Sequence, residues 1–120
     1  MKGRVDESQR ALVDVAIRRT ESEAPTEVTV WIDTAFNGFL VFPQEMIANL
    51  GFQQEAVTEA ILADGSQVVL ESFSCHIQWF GELRLAQVIS NAGKLPLLGT
   101  ELLAKRKLVI DYDAQTVSIR

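Results

Sequence analysis

Val28-Thr29-Val30-Trp31-Ile32-Asp33-Thr34-Ala35-Phe36-Asn37-Gly38-Phe39 joins a β-branched, apolar run to a turn. Runs of Val, Ile and Trp favour packed strands. The run therefore predicts a buried strand that ends by presenting Asp33 at the mouth of a loop. Buried carboxylates are rare without a partner, and carboxylates in unusual surroundings gather at functional sites. Asp and Asn are also common turn residues, so an Asp33 that merely closes a strand is the competing reading.

Downstream of this turn, Phe39-Leu40-Val41-Phe42 predicts a second buried strand. Pro43 to Gly51 has proline at a helix start and glycine just past its end, with Met46, Ile47 and Leu50 on one face. Residues 53–62 suit a helix or a strand. Asp64-Gly65, between strand-like arms at Val57–Leu62 and Gln67–Phe73, tips the reading to a hairpin with a type I′ turn. Phe73, Cys75, Ile77 and Trp79 alternate with polar residues, which assigns Cys75 to the core and His76 to the wetter face. Phe80-Gly81-Glu82 turns the chain into Leu83–Ile89. Leu95-Pro96-Leu97-Leu98-Gly99 precedes a short helix, Glu101–Ala104, for which Thr100 is the expected cap. Leu108–Tyr112 and Thr116–Ile119 predict a last hairpin, whose edges are open to pairing between subunits. At the N-terminus, residues 3–5 and 11–18 predict another hairpin, its second arm alternating Val13, Val15 and Ile17.

The 120 residues suffice for one domain, residues 1–120, with its own core. An apolar content of 48% opposes disorder. A net charge of −5 argues against a nucleic-acid partner. The basic run Lys105-Arg106-Lys107 is expected to complement the end of the preceding short helix. Cys75 and His76 are each alone in their type. A disulfide framework, a histidine-dependent triad and a Cys- or His-rich metal site are thereby excluded within one chain, and no metal or cofactor is expected. No apolar stretch of about eighteen residues suggests a membrane span, so a cytoplasmic location is the expectation.

Ile32-Asp33-Thr34-Ala35, followed by Phe39-Leu40-Val41, resembles the active-site loop of the retropepsin-like aspartic proteases, whose signature is Asp-Thr/Ser-Gly after an apolar strand. The block Leu95 to Leu103 is similar to that family's apolar-apolar-Gly segment and the helix after it, and Phe36-Asn37-Gly38-Phe39 resembles its small prokaryotic members. Ala35 stands where the family usually has glycine. The resemblance spans about Val28 to the C-terminus. It implies an all-β, single-lobe, closed barrel with one or two short helices, acting as a homodimer on a peptide or protein substrate. It implies an aspartic endopeptidase with Asp33, Thr34 and Ala35 at the catalytic loop, where Asp33 of each subunit supplies half of a dyad and Thr34 bonds across the dimer. Asn37, Gly38, Leu98 and Gly99 support that loop, with Gly99 allowing close backbone approach. Ala63, Asp64, Gly65 and Ser66 fall where the family has a flap over the cleft; an ordinary surface hairpin is the competing reading. An inactive dimeric peptide-binding or scaffold domain of the same fold is the alternative function, since a methyl group at Ala35 either strains the backbone or crowds the cleft floor.

Overall fold

In the computed structural model of the chain, residues 1–61 and 64–120 are described, with the side chains at 58, 60 and 61 left aside. The strands are β1 (Lys2–Val5), β2 (Ala11–Arg18), β3 (Thr26–Ile32), β4 (Leu40–Pro43), β5 (Gln53–Ile61), β6 (Gln67–Trp79), β7 (Glu82–Asn91), β8 (Leu97–Leu98), β9 (Leu108–Asp111) and β10 (Thr116–Ile119). Two short helices, α1 (Gln44–Leu50) and α2 (Thr100–Leu103), interrupt them. The sheet order is β5-β6-β7-β4-β8-β3-β2-β1-β10-β9, and β6 also pairs with β2. That extra pairing, through Ile17↔Ile77 and Arg18↔His76, closes β2, β3, β8, β4, β7 and β6 into a ring. The fold is all-β, a closed barrel carrying two short helices.

Period-two alternation builds the barrel core. Val13, Val15 and Ile17 of β2, Val28, Val30 and Ile32 of β3, and Cys75, Ile77 and Trp79 of β6 are all buried. Their neighbours along each strand face outward, as the pleat requires. Helix α1 lies where proline and glycine bound it. Gly51 takes φ +70 and returns its amide to the Ile47 carbonyl, while Ile47 is buried and Met46 and Leu50 pack on the core.

Several sequence expectations change in detail. The alternating segment around Cys75 and the second arm of the Asp64-Gly65 hairpin are one continuous strand, β6. Its partner β5 begins at Gln53, so the ambiguous segment is strand, with a bulge at Gln54/Ala56. Among the described residues the last register pair of this hairpin is Ile61↔Gln67. Near its tip Asp64 Oδ1 accepts the Ser66 amide at 2.9 Å and the Ser66 hydroxyl at 2.6 Å. Leu62 and Ala63 lie outside the described residues. Among the described residues, a turn with both central residues at positive φ is Phe80-Gly81 (φ 50 and 80), between paired Trp79 and Glu82. The Phe80 ring packs edge-on against Trp79 with centroids 5.1 Å apart, and Arg106 lies 3.7 Å over it. Those two contacts offset the strain of a non-glycine residue at that position. Arg106 therefore stacks on an aromatic ring, and the last turn of α2 holds no basic residue. The terminal hairpin is present, but β1 already pairs with β10, leaving β9 as the outer strand. Among the described residues, no helix is long and apolar enough to cross a membrane.

Candidate active site

Asp33 directly follows the last residue of β3, and the sheet fixes its backbone. β8 runs parallel to β3 with Trp31↔Leu97 and Ile32↔Leu98 in register, and the Asp33 amide donates to the Leu98 carbonyl at 2.9 Å. On its other side β8 pairs antiparallel with β4, through Leu40↔Leu98 and Val41↔Leu97. The two strands flanking the Asp33 loop are thus held apart by a segment from far along the chain. Leu98, fully buried, anchors that segment.

After Asp33 the chain turns at once. Asp33 Oδ1 accepts the Ala35 amide at 3.0 Å, and its carbonyl accepts the Phe36 amide at 3.2 Å. Asp33 therefore does cap its own turn, while its half-buried side chain lines a cavity of about 310 Å³. Trp31, Ile32, Thr34, Ala35 and Leu97 complete the lining, so Asp33 is its single ionisable group. Thr34 and Ala35 are exposed there. Among the described residues the non-glycine positions with positive φ are Gln9, Phe80, Lys105 and Gln115, and Ala35 is not one of them. Its methyl group therefore imposes no left-handed strain and simply forms part of the cavity wall.

The loop from Thr34 to Phe39 is pinned by the start of α2. The Gly99 amide donates to the Phe39 carbonyl (2.8 Å), the Thr100 amide to Phe36 (2.8 Å) and the Glu101 amide to Gly38 (3.1 Å). Amides at a helix start have no partner within the helix, and here the loop carbonyls satisfy them. Thr100 is the first helical residue rather than the cap. Its hydroxyl donates to the Phe36 carbonyl at 3.3 Å, and Gly99 holds the cap position without a side chain. Gly99 has an extended backbone, so its value lies in space: an added Cβ would run into the Gly38 carbonyl and the Phe36 ring. A Cβ on Gly38 would meet the same ring.

The structure thus brings together Asp33, Thr34, Ala35, Gly38, Leu98 and Gly99. Asn37 sits exposed on the same loop. Asp64, Gly65 and Ser66 share the hairpin tip and do not line the Asp33 cavity; Ala63 is outside the described residues. The Ser66 hydroxyl, followed by its amide, holds the Asp64 carboxyl below the ordinary carboxylate range. Sequence reading missed Trp31, Leu97 and Phe36 as parts of the site. For Trp31 a signal existed, since alternation sets it on the face opposite buried Val30 and Ile32. Arg10, bonded to Asp6 at 2.8 Å, lies 5.8 Å from the centroid of the Trp31 ring. Among the described residues, no three His, Cys, Asp or Glu side chains converge as metal ligands.

No family model matches the chain, and no curated protein matches it in sequence. Solved structures do match in fold. The chain is similar to EIAV protease complexed with the inhibitor HBY-793, with TM-score 0.55 and 17% identity over 83% of this chain and 90% of that one. It is also similar to the retroviral protease-like domain of Ddi1 from Leishmania major, with TM-score 0.52 and 11% identity over 90% of this chain and 87% of that one. The fold is that of the retroviral proteases.

Proposed function

We propose that the chain is a homodimeric aspartic endopeptidase, with Asp33 of each subunit supplying one half of the catalytic pair. The observation that carries this reading is a lone carboxylate on a strand-end loop, held from behind by Leu98, Gly99 and α2, in a barrel with a retroviral protease's fold. Peptide hydrolysis through an acidic dyad needs two carboxyl groups sharing a proton, one ionised to activate water and one protonated to polarise the carbonyl. One chain provides one such group in this cavity, and a two-fold axis beside the loop would provide the second. Thr34, next to Asp33, would bond across the axis. The hairpin of β5 and β6 would cover an extended peptide, and the Asp64–Ser66 turn would form its tip.

The reading is tested by incubating purified wild type and Asp33→Asn with a mixed peptide library across acidic to neutral pH. Wild type should cleave with a bell-shaped profile, because two dissociations belong to the coupled pair. Asp33→Asn should retain fold and dimer and lose turnover. Cleavage that survives Asp33→Asn would overturn the mechanism. The exposed Ala35 methyl in the cavity wall favours a second reading, an inactive peptide-binding domain. Wild type that binds peptides without cutting them, alongside an Ala35→Gly variant that cuts, would establish it.

A further inference from the structure

Charge is segregated along the sheet. From Thr20 to Leu83 the sequence holds ten Asp and Glu and no Lys or Arg. All eleven Lys and Arg fall in residues 1–19 and 84–120, beside only six carboxylates. In the sheet order the acidic hairpin β5–β6, with Glu55, Glu59 and Glu71, stands at one end, and β1, β10 and β9 stand at the other. A net charge of −5 thus conceals a basic pole.

That pole is one face of three strands. Val117 and Ile119 are fully buried, so Thr116, Ser118 and Arg120 point outward. Register sets Lys2 and Val109 on either side of Ser118. The main chains of Lys107 and Arg120 exchange two hydrogen bonds, at 2.6 and 3.0 Å, which places their side chains directly opposite each other. Lys2, Lys107 and Arg120 therefore share the outer face, and all three are exposed. Like charges directly opposite on a sheet are destabilising, yet Lys107 and Arg120 are such a pair. Among the described residues, Arg4, Arg10 and Arg19 each reach a carboxylate, whereas Lys2, Lys107 and Arg120 are in no ion pair. The carboxylate that register puts on this face is Asp111, at its far end, where Oδ1 accepts the Asp113 and Ala114 amides. Lys105, just before β9, adds a further exposed cation.

We propose that this face rests on an anionic lipid surface, with Lys2, Lys107 and Arg120 against the headgroups. A sheet face presents its cations in one plane, and a bilayer is a plane that all of them reach together. The convex backbone of a nucleic-acid duplex would meet fewer of them. Clustered Lys and Arg bind anionic bilayers with a gain of about fivefold in affinity for each cation near the surface. Val109, 39% exposed beside Lys107 on the same face, reaches the headgroup boundary. The same surface repels the acidic hairpin at the other end of the sheet order, so the field turns the molecule with its basic face toward the lipid. This surface is independent of any catalysis at Asp33.

The test is flotation of the purified chain with phosphatidylcholine vesicles, with and without about 30% phosphatidylserine. Binding is expected only where phosphatidylserine is present, and about 1 M salt should release it, since screening then acts within ~3 Å. Lys107→Gln combined with Arg120→Gln should weaken binding about 25-fold, and Lys2→Gln alone about fivefold. The double variant removes a like-charged pair, so thermal unfolding should find it at least as stable as wild type. Equal binding to both kinds of vesicle, or unchanged binding by the variants, would overturn the proposal. Binding to single-stranded RNA or polyglutamate without binding to the phosphatidylserine vesicles would overturn it too.

Discussion

Gly99 and Ala35 are two small residues of the candidate site at which size matters to different degrees. Gly99 fits because nothing larger can pass the Gly38 carbonyl and the Phe36 ring. Gly99→Ala should therefore displace the Asp33 loop and cost on the order of 1–3 kcal/mol, as overpacking does. Urea unfolding measures this, and a cost within error of zero would contradict the close approach. Ala35→Gly should be milder, destabilising by about 0.4–1 kcal/mol through the freedom glycine adds to the unfolded chain. Cys75 illustrates burial acting on chemistry. Loss of hydration pushes its thiol up to about 12. In the unfolded chain the thiol titrates near ~8.5, so below that pH both states are protonated and nothing is lost. Between that value and about 12, ionisation favours the unfolded chain, and stability falls as pH rises. Wild type should lose stability over this alkaline window faster than Cys75→Ala, measured by urea unfolding at stepped pH. Native Cys75 should also resist alkylation at pH 8 until the chain opens.

Among the elements, α2 shows how a four-residue helix gains a fixed place. Its first amides hold the Asp33 loop, Leu102 is buried, and the Trp79 indole N–H donates to the Leu102 carbonyl at 3.0 Å. Trp79 is itself buried near the end of β6. One side chain therefore couples the long hairpin strand to the helix that pins the candidate site. Trp79→Phe preserves aromatic packing in part and removes the donor, leaving a buried carbonyl unpaired. A loss of about 1–3 kcal/mol is expected. Amide exchange at Gly99–Glu101 should accelerate together with that loss, whereas a change confined to β6 would show that the tether does not reach the site. These couplings were only partly legible beforehand. Alternation in residues 73–79 assigned Trp79 inward, and Pro43 and Gly51 bounded α1. By contrast, Thr100 reads as a helix cap, while its hydroxyl is engaged by a carbonyl of a distant loop.

For the whole molecule, the decisive property is that the proposed chemistry is incomplete in one chain. The barrel closes on itself, β1 and β10 are already paired, and the Asp33 cavity stands open beside exposed Thr34 and Ala35. The dimer reading predicts contact through the Asp33 loops, with β9 as the terminal strand still free to pair. Two carboxylates brought within about 3 Å repel unless they share a proton. Asp33→Asn should consequently dimerise at least as tightly as wild type near neutral pH. Sedimentation equilibrium of both proteins measures this. Wild type that remains monomeric up to about 100 μM, an affinity weaker than roughly 5.5 kcal/mol, would contradict the homodimer.

Taken alone, the sequence determined most of the local structure. Period-two alternation marks the inward faces of β2, β3 and β6, because each pleat sends successive side chains to opposite sides. The Asp33-to-Gly38 turn is equally local, since Asp and Gly carry their turn chemistry in their own side chain or lack of one. Which strands become neighbours is another matter. The insertion of β8 between β3 and β4, and the closure of β2 onto β6, join segments far apart along the chain. Backbone donors and acceptors are the same at nearly every residue, so they carry no address for a distant partner. The addresses come from packing Leu98, Val30, Leu40 and Trp79 into one shared core. Only the assembled barrel decides that Asp33 meets Leu98 and that Gly99 passes against Gly38 and Phe36.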